Sequence, residues 1–223
     1  MSHPYSIVFA EIFKGTLHLY RREGLVAREI LDKVISLAFA HGFIAWITFA
    51  VLTRAEAMIE LGLNEEGISQ ILEGLATLGG SGTRLARPHY LTLLAVGYMN
   101  VGRLDEALSA MEEALAASDE NEDRQDEPER YRVKGELLLR RDPPYSIDAE
   151  KCFERAIEVA RNQSAKSLEL RATISLTRLL ASLGRRDEAR ARLAEIYNWF
   201  TEGFDTADLK DAKALLDELS NSS

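Results

Sequence analysis

Residues 102–117 read GRLDEALSAMEEALAA. Gly102 closes one helix by taking a left-handed conformation without a Cβ clash, and a short turn leads into the next helix. Ala107, Met111, Ala114 and Leu115 then fall at i, i+4, i+7 and i+8, a single apolar stripe. The small residues mark where two helix backbones press together, and the large one fills the gap between them. The phrase recurs along the chain. Ala27, Gly67, Ala107, Ala149 and Ala189 occupy its first small position, and Leu31, Ile71, Met111, Phe153 and Leu193 follow four residues on. Val34, Gly74, Ala114, Ala156 and Ile196 come three further. Successive copies are 40, 40, 42 and 40 residues apart, so each copy is read as the second helix of a repeating pair.

The first helices lie just upstream, over Ile7–Arg22, Phe43–Leu61, Pro88–Val101, Glu129–Arg141 and Ser167–Leu183. Gly62, Gly102 and Gly184 end three of them, and Pro143 and Pro144 stop the fourth. Asn64, Asp105 and Asp187 follow closely and are placed to cap the next helix. The stretches Leu78–Leu85, with GGSGT, and Ser118–Pro128, SDENEDRQDEP, read as solvated loops between pairs. A last helix over Ala207–Leu219, capped by Asp205 or Thr206, turns Leu209, Ala212, Leu215, Leu216 and Leu219 inward. Its polar face is assigned Asp208, Lys210, Asp211, Asp217 and Glu218. The expected fold is all-α: a right-handed α-solenoid of five antiparallel helix pairs, over about 5–41, 43–79, 84–118, 128–163 and 166–200, sealed by a capping helix over 206–219. It is read as a single repeat domain, 1–223.

The net charge of −9 is local. Asp119–Glu129 carries −6 and Glu202–Glu218 carries −4, which leaves the rest of the 223 residues at +1. Such a chain has no general attraction for nucleic acid or anionic lipid, so neither is an expected partner. The single cysteine, Cys152, excludes an intrachain disulfide and sits on an apolar stripe as a small core residue. No signal peptide is legible at the N-terminus. The apolar run Phe39–Leu52 is interrupted by His41, Gly42 and Thr48 and stops short of the roughly 20 residues a membrane span needs. These features point to the cytoplasm.

Leu94, Ala95, Tyr98, Gly102, Ala107, Met111, Ala114 and Leu115 stand at the signature spacings of the tetratricopeptide repeat, which this chain resembles. The period exceeds the usual ~34 residues, and the extra residues are assigned to the joints between pairs. A more specific resemblance rests on ARPHYLTLLA, YRVKGELLLR, CFERAIEVAR, SLELRATISLTRLL and, above all, YNWFTEGFDTADLKDAKALLDEL. These look like the C-terminal helical-repeat region of large bacterial signalling proteins, adenylate/guanylate cyclase-type proteins or predicted ATPases. The resemblance implies a regulatory or partner-sensing tail. No family catalytic residue carries over, because the cyclase and ATPase modules are absent, and the chain is expected to be a short gene product or a fragment.

Catalytic motifs are missing. Gly79–Thr83 has glycines but neither the Lys-Ser/Thr nor the preceding strand of a phosphate loop. His3, His18, His41 and His89 do not pair with another His or Cys at metal-ligand spacing, and no cofactor or metal is expected. Glu65–Glu66 and Glu112–Glu113 are adjacent on helices, so their carboxylates diverge. Two surfaces remain. Arg132, Glu136 and Arg140 run at i, i+4 and i+8 on one first helix, with Arg171 and Arg178 at i and i+7 on the next. Together they would form a basic groove gripping an acidic peptide or carboxylate; alternatively they pair with acids such as Glu129, Glu136 and Glu169. The second surface is apolar: Phe43, Trp46 and Phe49, with Ile44, Ile47, Val51 and Leu52, make a helix apolar nearly all round. It is buried between neighbours or covers a ligand cleft. The N-terminal pair is also expected to leave an apolar face open to self-association. The chain therefore reads as a non-enzymatic protein- or peptide-binding scaffold. A solenoid that senses a small-molecule effector, in a pocket beside Trp46, is the second reading.

Overall fold

A computed structural model describes residues 3–81, 86–141 and 146–221. Among them are eleven α-helices and no strand. Contacts divide the chain into two compact units, Met1–Asn121 and Glu122–Ser223. The division falls inside the acidic stretch. The sequence alone reads this as one continuous domain.

The N-terminal unit is three helix pairs: α1 (Pro4–Tyr20) with α2 (Gly24–Ala40), α3 (Ile44–Glu60) with α4 (Asn64–Ser81), and α5 (Arg87–Asn100) with α6 (Leu104–Glu120). The first helices also pack on one another, α1 on α3 and α3 on α5. Val8, Ile12, Leu31, Val34, Ala38 and Ala50 form one of its buried clusters. The C-terminal unit pairs α7 (Glu127–Leu139) with α8 (Ser146–Asn162) and α9 (Lys166–Ser182) with α10 (Arg186–Tyr197). Its last helix, α11 (Ala207–Asn221), packs on both α9 and α10. Its core includes Phe153, Leu170, Leu176, Leu180 and Leu193, each at most 1% exposed.

The phrase that sets the sequence period lies on α2, α4, α6, α8 and α10, and its small residues are fully buried at Ala27, Ala107, Ala114, Ala149, Ala156 and Ala189. The period has a different origin in the first pair from the one expected. Helices α1, α2 and α3 each have 17 residues. The α2–α3 joint, residues 41–43, is no longer than the α1–α2 joint, residues 21–23. In the first pair the excess over a shorter repeat thus sits in the helices, nearly one more turn each; in the third pair α5 has only 14 residues and the excess falls in the six-residue joint 121–126. Gly42, Gly62, Gly102 and Gly184 take positive φ at the turns. At Gly102 the Arg103 N–H donates to the Tyr98 carbonyl at 2.9 Å, the bond that closes a helix end of this kind. Arg22, Glu122 and Ser164 take the same conformation without being glycine.

Several local expectations change. Helix α4 runs through Ser81, so the start of the GGSGT stretch is helical, and Leu78 is buried. Residues 82–85, and Pro143 and Pro144 with their expected stop, lie outside the described residues. Helix α6 extends to Glu120 and α7 begins at Glu127, so the acidic joint is shorter than predicted. Asp105 and Asp187 do not cap: the N-cap positions are Arg103 and Arg185, neither making a side-chain cap bond. Both aspartates stand instead in the first turn, where a negative charge favours the helix dipole. The Asn64 amide donates back to the Gly62 carbonyl, and its own oxygen accepts from Asn100.

Candidate functional site

In the C-terminal unit the first helices α7 and α9, followed by α11, bring charged side chains together. The Arg132 guanidinium donates to Glu129 at 2.6 and 2.8 Å, lies 3.6 Å from Glu136 and reaches the Ser175 hydroxyl at 3.5 Å. Ser175 in turn donates to Glu136 at 2.7 Å. Burial works against the Arg132 charge, but Glu129, Glu136 and Asp208 outweigh it and hold the guanidinium more firmly protonated than usual. On α9, Arg171 donates to Asp208 of α11 at 2.6 Å. Arg132 and Arg171 stay about one-fifth exposed at the side chain.

Of the five predicted residues, the structure thus gathers Arg132, Glu136 and Arg171 into one network, with the added members Glu129, Ser175 and Asp208. Arg140 and Arg178 are exposed on α7's end and on α9. The alternative pairing is visible at Arg132, whose partners are Glu129 and Glu136; Glu169 is taken by Arg161 and Lys166 instead. Asp208 corrects the reading of α11: it is buried and paired with Arg171 rather than turned to solvent. Leu209, Ala212, Leu215 and Leu219 are buried beside it, with Leu216 partly so.

The second candidate surface also changes in outline. Phe43, Trp46 and Phe49 are half-buried, and they are one side of an aromatic cluster whose other side is α1. Trp46 meets Tyr5 and Phe9 edge-on, with centroids 5.7 and 5.4 Å apart. Phe9 touches Phe13 at 4.8 Å, Phe43 touches Tyr5 at 5.5 Å, and Phe49 lies 6.1 Å from Trp46. Sequence inspection centres on α3 and misses Tyr5, Phe9 and Phe13, although their i, i+4, i+8 spacing was there to be read.

Cys152 is half-buried, and burial pushes its thiol up, away from the reactive thiolate. Among the described residues no group of three or more His, Cys, Asp or Glu could hold a metal ion. None of the helices there is long and apolar enough to cross a membrane. Two hollows, over Glu29–Ser36 and over Ile147–Glu158, are each lined by residues of a single helix, and neither touches Trp46.

No protein-family model matches the chain, and no curated protein matches it. Solved structures do. The apo form of RapI aligns with 99% of this chain and 85% of its own at 11% identity, with a TM-score of 0.62. Pseudomonas aeruginosa pilF aligns with 97% and 90% at 14% identity and a TM-score of 0.57. A kinesin light chain structure from Podosopora anserina, described as having nearly identical TPR-like repeats, aligns over all of both chains at 17% identity and a TM-score of 0.55. The fold is tetratricopeptide-like. At these identities the likeness carries the fold alone, which agrees with the small-large-small signature on the second helices.

Proposed function

We propose that this chain is a non-enzymatic scaffold that binds a protein or peptide partner on the first-helix face of its C-terminal unit. The observation that carries the reading is the network at Arg132 and Arg171. The Arg132 guanidinium is held by two acids of its own helix and a serine of α9, and that of Arg171 by an acid of α11, while about one-fifth of each side chain stays exposed. Pre-oriented arginine forks of this kind recognise carboxylates and carbonyls at a small entropic cost. Arg140 and Arg178 extend the same two helices with exposed cations. An acidic peptide strand is the partner chemistry that suits them.

The closing phrase at Tyr197–Leu219 supports placing the scaffold as the regulatory or sensor tail of a bacterial signalling ATPase or nucleotide cyclase. Helix α11, which belongs to that phrase, supplies Asp208 to the network. Capture of partners from a lysate on the immobilised chain, with mass spectrometry of what is retained, tests the reading. The native chain is expected to hold a partner that Arg171→Glu and Arg132→Gln release. An identical set retained by all three would remove the arginine face from the account.

A further inference from the structure

The exposed face of α1 is the least ordinary surface of the N-terminal unit. Tyr5, Phe9, Phe13 and Leu17 form an i, i+4 row and Tyr20 completes it, each between 44% and 58% exposed. Ser6, Ala10 and Thr16 fill the positions between them, so no charge interrupts this face along the whole helix. The charges of α1, Glu11 and Lys14, pair with each other away from it. With each of the four aromatics offering about 150–250 Å² in all, and Leu17 somewhat less, the exposed halves of the five present roughly 500 Å². Phe39 and Ile44, 78% and 74% exposed, are further apolar side chains at the α2–α3 turn. The area of the α1 row stands in the upper part of the ~300–600 Å² range of the largest apolar patch on an ordinary monomer, a patch that is often functional, and compares with the ~800 Å² each partner contributes to a standard complex.

We infer that this face joins two copies of the chain, α1 against α1 about a two-fold axis. Three features of this face favour a second copy. An uncharged face gives no electrostatic preference for a partner of either sign, and it can meet itself without like charges in opposition. The 5–9–13–17 row is an i±4 ridge, and two such ridges interdigitate in the commonest helix–helix packing, at about −50°. A two-fold axis crossing near Phe9 and Phe13 sets these rings against one another and brings Tyr5 towards the partner's Leu17. Two such faces together bury roughly 1,000 Å², the lower bound of a specific interface. The rings are already braced from behind by Trp46, so little side-chain freedom remains to be lost on association.

Sedimentation equilibrium over a wide concentration range tests this, with the intact chain throughout. The native chain is expected to pass from monomer to dimer. Phe13→Glu, at a side chain exposed enough to leave the fold intact, is expected to weaken the dimer on the order of a hundredfold. Ile147→Glu, a still more exposed apolar position on α8, is expected to change nothing. Circular dichroism of each variant confirms that it is folded. A native chain that stays monomeric at every concentration overturns the inference. So does a dimer that Phe13→Glu leaves untouched, or a monomer that instead sediments with phosphatidylcholine–phosphatidylserine vesicles, which would assign the face to lipid.

Discussion

Two glycines separate backbone need from steric need. Gly102 has φ +78° and open space where a Cβ would go. Gly102→Ala should therefore cost only the left-handed backbone penalty, about 1–2 kcal/mol, and Gly102→Asn less, since asparagine tolerates that region. Gly135 is the reverse: on α7, a Cβ would stand 2.5 Å from the ring of fully buried Phe153. Alanine there gains helix propensity but overpacks the core, about 1–3 kcal/mol, and asparagine should be worse. Urea unfolding of the four variants reads both. Asparagine as harmful as alanine at 102, or milder than alanine at 135, would contradict the assignment. A third residue sets a pH dependence. Burial pushes the Tyr90 hydroxyl up to about 12, against the effect of its hydrogen bond with Thr53, while unfolded tyrosine titrates near 10. The folded state thus holds this proton more tightly. Its stabilisation is complete below about pH 10 and is lost as pH rises towards 12, about 2–3 kcal/mol in all. Tyr90→Phe should flatten the stability profile in that window, and equal losses in both proteins would show that another group is responsible.

At the scale of the helix, α11 tests how the C-terminal unit holds its last element. It lies where a further first helix would lie, packed on α9 as α9 is on α7, and Asp208 ties it to Arg171. With both side chains partly reached by solvent, Asp208→Ala should weaken the docking of α11 by about 1–3 kcal/mol. Hydrogen exchange should then quicken across residues 207–221 while α8 keeps its protection; uniform protection in the variant would make the ion pair incidental. These helices show what sequence reveals and what it does not. The second helices were legible because their small residues and core anchors repeat locally and can be laid over one another. The terminal helix was legible in extent, yet Asp208 was assigned to the wrong face, because a carboxylate on an amphipathic helix ordinarily faces water. The non-glycine turns at Arg22 and Ser164 carried no compositional mark at all. The partners within the arginine network are far apart in sequence, Ser175–Glu136 by 39 residues and Arg171–Asp208 by 37. Each separation is nearly one 40-residue repeat. The period therefore held the signal that places these side chains on adjacent first helices, although it could not say which acid each arginine would meet.

For the molecule as a whole, charge and apolar surface act against each other. The net charge of −9 is concentrated in the acidic joint and the C-terminal segment, while α1 presents its uncharged aromatic face. At neutral pH the acidic segments keep copies apart beyond contact range, with salt shortening that reach to about 10 Å at ~0.1 M. Close to the isoelectric point, at about pH 5.1, long-range repulsion disappears and the apolar face is left to govern encounters. Light scattering against pH should therefore peak near pH 5. Phe13→Ser alters the face without altering net charge, so it leaves the isoelectric point in place and separates the two influences. If the aromatic row drives association, the variant should keep the position of the peak and lose much of its height. A peak of unchanged height would mean that general loss of charge, rather than the α1 face, brings the copies together. A peak displaced in pH would point to an altered titration in the variant, and the face would again be the wrong explanation.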